Sequence, residues 1–426
     1  MKILTSRDPQ VSQILRKTIA NAAEIEARVR EIVEDVACRG DAAVFEYTQR
    51  FDQAELKADN FRVSTAEIEQ ALAFVDNDFK QALQEAVDNI RAFHARQLRS
   101  SWMEPDSEGN ILGQITRPLH RVGIYVPGGT AAYPSSVLMN ALPAQVAGVS
   151  QIAMVSPPAA DGSMNPYTLA AASACGVTEI YKVGGAQAIA ALAHGTQSVP
   201  RVDKITGPGN IYVTMAKKLV YGTVDIDMLA GPSEVLIVAD HTANPRYAAA
   251  DLLSQAEHDP LASAILVTPS VDLARVVQRE LELQLATLSR KEIAQQSLAD
   301  YGAIILTSDL GEAMEIANQF APEHLELLLE NPFVWLGQVK NAGAVFMGSY
   351  SPEPIGDYFA GPNHILPTGG TARFYSPVTV DTFTKKTSVI AYSKGGFETA
   401  APRVIKLATV EGLDAHANSI KVRLEP

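Results

Sequence analysis

With 426 residues, 47% hydrophobic and 19% charged, the chain has the composition of a folded globular protein rather than a disordered or fibrous one. It is longer than a single core ordinarily serves, so two large domains with appendages are expected. A formal net charge of −13, with no dense Lys/Arg run, excludes a general affinity for nucleic acid, because no cation excess exists to neutralise phosphates.

The opening MKILTSRDPQVSQ lacks the apolar core of a signal peptide, and no 18-residue apolar run is free of polar or breaker residues, so a cytoplasmic protein is expected. Residues 11–50 read as helical, with Leu15, Ile25, Val29, Ile32 and Val36 at helical spacing. Cys38 and Cys175 stand far apart in alanine-rich stretches, which predicts two small buried apolar side chains in a reducing compartment rather than a disulfide or a metal site. Ser64 and Glu67 form a capping-box pattern ahead of Ile68, Leu72, Val75, Phe79, Leu83, Val87, Ile90 and Phe93. That stripe predicts one long amphipathic helix of about seven turns.

From Arg121 the period changes. VGIYV, QIAMVS and TEIYKV read as strands, with helices predicted near 134–148, 166–175, 186–194 and 210–220. A second series runs through EVLIVAD, SAILVTP, AIILTS, LELLLE and AVFMG, with helices near 245–258, 272–285 and 309–318. This alternation predicts α/β architecture with mostly parallel sheets, in two consecutive units. The tail from about residue 380 is weakly patterned, with a helix near 397–411 and then EGLDAHANS.

Glycines gather at strand ends in VPGGT (126–130), VGGAQA (183–188) and TGPGN (206–210). Loops past the carboxyl ends of parallel strands suit phosphates and nucleotides, yet none of the three is G-x-G-x-x-G or a phosphate loop ending in Gly-Lys-Ser/Thr. By pattern alone they read rather as tight strand-to-helix turns.

The second series carries denser polar groups. In SQAEH, Gln255 and His258 project from nearly one helical face, as a hydrogen-bonding pair or as two ligands of one metal. PEH (322–324), IGDYFAGPNH (355–364) and EGLDAH (411–416) combine carboxylates and imidazoles. Asp357 and His416, added to Gln255 and His258, make a donor set suited to Zn²⁺ or a similar divalent ion. Glu323 and His324 read either as a proton-accepting pair or as two solvated loop residues. His94, His120, His194 and His241 read as capping or surface residues.

These blocks carry a resemblance to the histidinol dehydrogenase family. IDMLAGPSEVLIVAD continuing to DLLSQAEH, then APEHLE, GDYFAGPNHILPTGGTARF and EGLDAH, match the family's blocks in order along nearly the whole chain. The resemblance implies a zinc-dependent homodimer that oxidises L-histidinol to L-histidine in two steps, each passing a hydride to NAD. It implies Gln255, His258, Asp357 and His416 as zinc ligands and Glu323 and His324 as the acid/base pair. It further implies substrate contacts from Ser233, His364 and Glu411 beside the ligands and His324, with Glu411 and His416 supplied by the partner subunit. NAD contacts are implied at Tyr125, Gln187 and Asn210.

The expected fold is therefore two incomplete Rossmann-like α/β domains with parallel sheets, a helical N-terminal segment and a small C-terminal tail domain. The expected boundaries are a 1–20 extension, a metal and catalytic domain from 21–124 with 233–379, an NAD-side domain at 125–232 and a dimerisation tail at 380–426. Two rival readings are a zinc hydrolase, whose metal and Glu/His pair activate water on an amide without NAD, and a relative that oxidises another amino or sulfo alcohol. A structural metal-binding protein is a third.

Overall fold

Buried apolar runs alternating with amphipathic or alanine-rich helices dictate parallel strands covered on both faces, and two such sheets form. The computed structural model describes residues 1–14, 22–128 and 132–425. They fall into two units, one of Met1–Gln97 with Leu119–Phe383 and one of Leu98–Pro118 with Thr384–Pro426. Leu15 and the last two residues of VPGGT lie outside the described residues.

In chain order the strands are β1 (Lys2–Thr5), β2 (Trp102–Pro105), β3 (Ile111–Pro118), β4 (Arg121–Tyr125), β5 (Gln151–Ser156), β6 (Glu179–Lys182) and β7 (Lys204–Thr206). They continue as β8 (Asp225–Ile226), β9 (Glu234–Ala239), β10 (Ser263–Thr268), β11 (Ala303–Leu306), β12 (His324–Leu328), β13 (Ala344–Met347) and β14 (Thr384–Ala391).

The first parallel sheet has the order β6-β5-β4-β7-β8, and the second β1-β11-β10-β9-β12-β13. Counted within its own series, each reads third, second, first, fourth, fifth, with β1 added outside β11. The order therefore reverses between β4 and β7, and between β9 and β12. The predicted strands from VGIYV to AVFMG all form, and their boundaries move by a residue or two as terminal pairs fray.

Helices Pro134–Ala147, Pro166–Ala174 and Asn77–Ala95 share one core on the first sheet. Helices Ala22–Arg39, Asp41–Asp52, Gly185–His194 and Ile211–Val220 share the core on its other face. The second sheet is covered by Pro245–Ala256, Val271–Leu285 and Lys291–Asp300 on one face and by Leu310–Phe320 on the other. Among the described residues, no helix is long and apolar enough to cross a membrane.

Three expectations are corrected. The stripe from Ser64 to Phe93 is two helices, Thr65–Phe74 and Asn77–Ala95. The Ser64/Glu67 capping box forms, but Val75 turns extended and the Asp76 carboxylate accepts from Phe79 N, starting a second helix with the same apolar phase. Cys38 is exposed while Cys175 is buried, and both are free thiols. His94 is fully buried, its Nδ1 2.8 Å from Gln97 Oε1, whereas His120, His194 and His241 are exposed as expected.

In the second unit β14, β3 and β2 form an antiparallel sheet, with Thr384 opposite Pro118 and Ala391 opposite Ile111. Ser393 caps helix Lys394–Val410 through Gly396 N and donates to the Glu108 carbonyl at 2.7 Å. Gly412, at φ 71°, turns the chain into helix Asp414–Lys421.

Candidate active site at the amino ends of the second sheet

Strand and helix periods together build a polar ladder. On β12 the side chains of His324 and Glu326, two residues apart, share a face. On helix Pro245–Ala256, Asp251 and Gln255 are four apart and share a face. Gln255 Oε1 lies 3.0 Å from His324 Nδ1, and Asp251 hydrogen-bonds Glu326 one rung further in. All four are buried.

Because this helix runs antiparallel to the strands, its C-terminal end arrives at their amino ends. The site therefore lies opposite to the carboxyl-end position usual for open α/β sheets. His324 is the first residue of β12, and Glu234, whose carbonyl is 3.0 Å from His324 Nδ1, is the first of β9. Glu323 accepts a hydrogen bond from Glu234 N at 2.9 Å, and its Oε2 is 3.8 Å from His324 Nδ1. Ahead of the pair, Ala321 takes a left-handed backbone (φ 52°) that ends helix Leu310–Phe320 and turns the chain into the strand. The solvated-loop alternative for Glu323 and His324 is excluded, since both are buried.

Asp357 sits in a π-helical turn, Gly356–Ala360, following the short helix Glu353–Ile355. The turn is fixed from outside. Asn89 Nδ2 donates to the Phe359 carbonyl at 3.0 Å, and Gly361 passes so near Asn89 that a Cβ there would lie 2.8 Å from its carbonyl oxygen. Asp357 Oδ1 is thereby brought 3.8 Å from His324 Nε2, and the Asp357 carbonyl accepts from His364 Nδ1 at 3.0 Å. His258, one turn beyond Gln255, is exposed by area yet close enough to act electrostatically on both His324 and His364.

Burial governs the site's proton affinities. It depresses His324 to about 3 and His364 to about 4, keeping both imidazoles neutral, and raises Asp357 to about 7. Burial and the Asp357 and Glu323 charges push the Glu353 carboxyl well above the usual carboxylate range, and burial and Asp251 do the same to Glu326.

Donor atoms of His324, Glu353 and Asp357 lie within 4.8 Å of one another. Gln255 Nε2 and His324 Nε2 are buried without hydrogen-bond partners. Among the described residues, neither Asp357 nor Glu353 is paired with Lys or Arg; their close ionic contacts are to His324. A buried set of amide, imidazole and carboxylate donors lacking a cation fits a divalent metal. The structure brings Gln255, His258, Asp357, Glu323, His324 and His364 together. Ser233, half-buried, directly precedes Glu234, and its carbonyl accepts from Ser263 N at 3.0 Å.

Glu234, Glu326, Glu353 and Asp251 are site residues that the sequence reading did not single out. The i, i+2 repeat in HLE and the i, i+4 repeat in DLLSQ carried the signal for Asp251 and Glu326. Glu411 and His416 belong to the second unit, exposed, on an open groove of 610 Å³ lined also by Val404, Leu407, Leu413 and Ile420.

A family model described as histidinol dehydrogenase matches residues 15–424. The chain belongs to the histidinol dehydrogenase family. The histidinol dehydrogenase of Heliobacterium mobile is 59% identical over 425 residues, covering 100% of both chains, and that of Moorella thermoacetica is 59% identical over 94% of this chain and 95% of its own. The crystal structure of histidinol dehydrogenase from Elizabethkingia anophelis superposes with a TM-score of 0.95 at 40% identity, covering 100% of this chain and 98% of that one. The family's members are NAD-dependent oxidoreductases acting on an alcohol and an aldehyde.

The residues that the histidinol dehydrogenase resemblance implies for NAD stand at the carboxyl ends of the first sheet. Tyr125 closes β4, and its hydroxyl accepts from Gly185 N at 3.2 Å. Gln187, 1% exposed, has both amide atoms buried without partners. Asn210 caps helix Ile211–Val220 through Tyr212 N and Val213 N. The loop before Asn210 is held by a buried ion pair: Lys217 Nζ, paired with Asp227, donates to the Gly207 carbonyl at 3.0 Å, while Asp227 Oδ2 accepts from Gly207 N at 2.8 Å. Gly207 needs its missing side chain, since φ is 117° and a Cβ would lie 2.1 Å from the Tyr125 carbonyl oxygen.

Proposed function

We propose that this chain oxidises L-histidinol to L-histidine through histidinaldehyde with two NAD, the last step of histidine biosynthesis, in the cytoplasm and as a zinc-dependent homodimer. The observation that carries the proposal is the contact of Gln255 with His324 at 3.0 Å, which joins a metal-ligand position to a base position in one buried site.

Gln255, His258 and Asp357, with His416 of the partner subunit, would hold one zinc per subunit. When bound, the metal supplies a Lewis-acid anchor for the substrate's imidazole nitrogen and amine. Ser233, His364 and the partner subunit's Glu411 contact the substrate's remaining polar groups.

His324 does the repeated proton work. Its Nδ1–H points to the Glu234 carbonyl and Gln255 Oε1, which leaves Nε2 as the free lone pair. That lone pair takes the alcohol proton as the first hydride leaves for NAD. Glu323 then removes a proton from water as its oxygen bonds to the aldehyde carbon, and the carbonyl oxygen takes the proton held on His324 Nε2, giving the diol. After His324 has released its first proton, Nε2 takes a diol hydroxyl proton as the second hydride leaves. The balance is one alcohol, one water and two NAD consumed, with one carboxylate, two NADH and three protons formed. Tyr125, Gln187 and Asn210 contact the dinucleotide, at a site loose enough to exchange NADH for NAD between steps.

The test is the end-point yield of NADH per L-histidinol, with and without a zinc chelator. A ratio near two, lost on chelation and regained with zinc, supports the four-electron reaction. A ratio near one means that aldehyde escapes or another alcohol is the substrate. No NADH at all returns the hydrolase reading.

A further inference from the structure

Parallel sheets that bind dinucleotides ordinarily place an acidic residue at the end of the second strand, where it receives the adenosine ribose hydroxyls. Here the second strand of the first series is β5, and it runs into Ser156, Pro157 and Pro158. Pro157 fills that place, lying 2.6 and 2.5 Å from where Cβ atoms of Gly128 and Gly184 would stand.

An acid arrives from a different element. Helix Asp41–Asp52 starts beside Gln197, whose Oε1 accepts from Asp41 N at 2.7 Å, and it packs along helix Gly185–His194. It therefore runs antiparallel to that helix and delivers its last residue, Asp52, near the Gly185 end. There the Asp52 charge acts on the Tyr125 hydroxyl, the same hydroxyl that accepts from Gly185 N.

Among the described residues, no partner accounts for a carboxylate at this point. Asp52 Oδ2 is buried without a hydrogen-bond partner, and Asp52 ends a helix, where a negative charge meets the unfavourable end of the dipole. The next residue, Gln53, is held at φ 59°. Among the described residues the only other non-glycine with positive φ is Ala321, two residues ahead of Glu323. Such conformations cost free energy and gather at functional sites. Gln187, fully buried with both amide atoms unpartnered, marks a second polar group awaiting a ligand beside Gly185.

We propose that Asp52 is a cofactor-binding and specificity residue whose carboxylate accepts the adenosine ribose hydroxyls of NAD and rejects a phosphate at that ribose. The inference rests on the reading of Tyr125, Gln187 and Asn210 as cofactor contacts.

The experiment titrates NADH and NADPH calorimetrically into the zinc-loaded full chain carrying Asp52→Asn, Asp52→Ser or Gln187→Leu, with thermal midpoints recorded without nucleotide. The expected result is a roughly ten-fold loss of NADH affinity in both Asp52 variants, the magnitude of a lost charged hydrogen bond. NADPH affinity holds or rises, so discrimination narrows, and the midpoint at neutral pH does not fall. Unchanged NADH affinity in the Asp52 variants, alongside weakened binding in Gln187→Leu, overturns the inference and leaves the cofactor site standing. Unchanged affinity in all three removes the cofactor site as well. Equal loss of both dinucleotides with a lowered midpoint shows a structural aspartate and also overturns it.

Discussion

His324 Nδ1 lies 3.0 Å from Gln255 Oε1, so the side chain proposed to hold metal also orients the side chain proposed to move protons. Metal affinity and base strength are therefore tied through one amide. Gln255→Ala is expected to lower bound zinc and to reduce kcat by about 10²-fold or more, since it removes a ligand and unfixes the imidazole. Gln255→Glu keeps an oxygen ligand but adds a negative charge beside Nδ1, which favours imidazolium. The acid limb of its kcat/KM profile is expected to move to higher pH at near-normal zinc content. An unmoved limb in Gln255→Glu would remove the coupling.

The loop that presents Asn210 depends on a pair of charges that touch no proposed ligand. Lys217 and Asp227 are 3% and 1% exposed at their side chains and together hold both the N–H and the carbonyl of Gly207. Asp227→Ala leaves a buried, unpaired ammonium, a change that costs about 3–5 kcal/mol. Chemical denaturation is expected to show that loss, with a raised KM for NAD and an unchanged zinc content. A stable variant with normal KM would mean that the loop is held by its glycine and proline alone.

Much of the fold was legible because burial is periodic. EVLIVAD, SAILVTP and their partners are buried on both faces, and such strands announce themselves as continuous apolar runs. The short edge strands β1 and β8 and the largely exposed β2, β3 and β14 lack that run, and none was foreseen. Asp76 split a stripe that apolar spacing alone reads as continuous, because its capping role keeps the phase on both sides. At the site, Gln255 with His258 and the PEH and GDY blocks were legible as polar groups in glycine- and proline-rich settings. Their convergence was not, since it depends on an antiparallel helix reaching the amino ends of β9 and β12. Glu353 was missed because a carboxylate beside prolines reads as loop until its burial is known.

Asp52 also makes a prediction about pH. Burial raises its carboxyl from 3.8 to about 6, so the folded chain takes up this proton more readily than the unfolded chain does. The ionised form therefore costs stability above pH 6, and the cost disappears as pH falls below 4. Two pKa units correspond to roughly 3 kcal/mol, which partial solvent screening reduces to about 1–2 kcal/mol. Asp52→Asn is expected to be more stable than the parent at pH 7.5 and no more stable at pH 4 in denaturant titrations without nucleotide. A gain of equal size at both pH values would place the effect outside this titration.

The shared-site proposal has its own genetic logic. If Glu323 acts in one subunit while His416 reaches the site from its partner, Glu323→Gln and His416→Ala inactivate through different chains. In a mixed dimer one site then draws a mutated group from each chain, and the other draws intact Glu323 and intact His416. Mixing the two inactive proteins under conditions that exchange subunits is expected to restore activity toward a quarter of the parent's, since half of the dimers are hybrids and each has one intact site. Recovery should follow the hybrid fraction measured by native mass spectrometry. Hybrids that form and remain inactive would mean that each chain supplies its own His416.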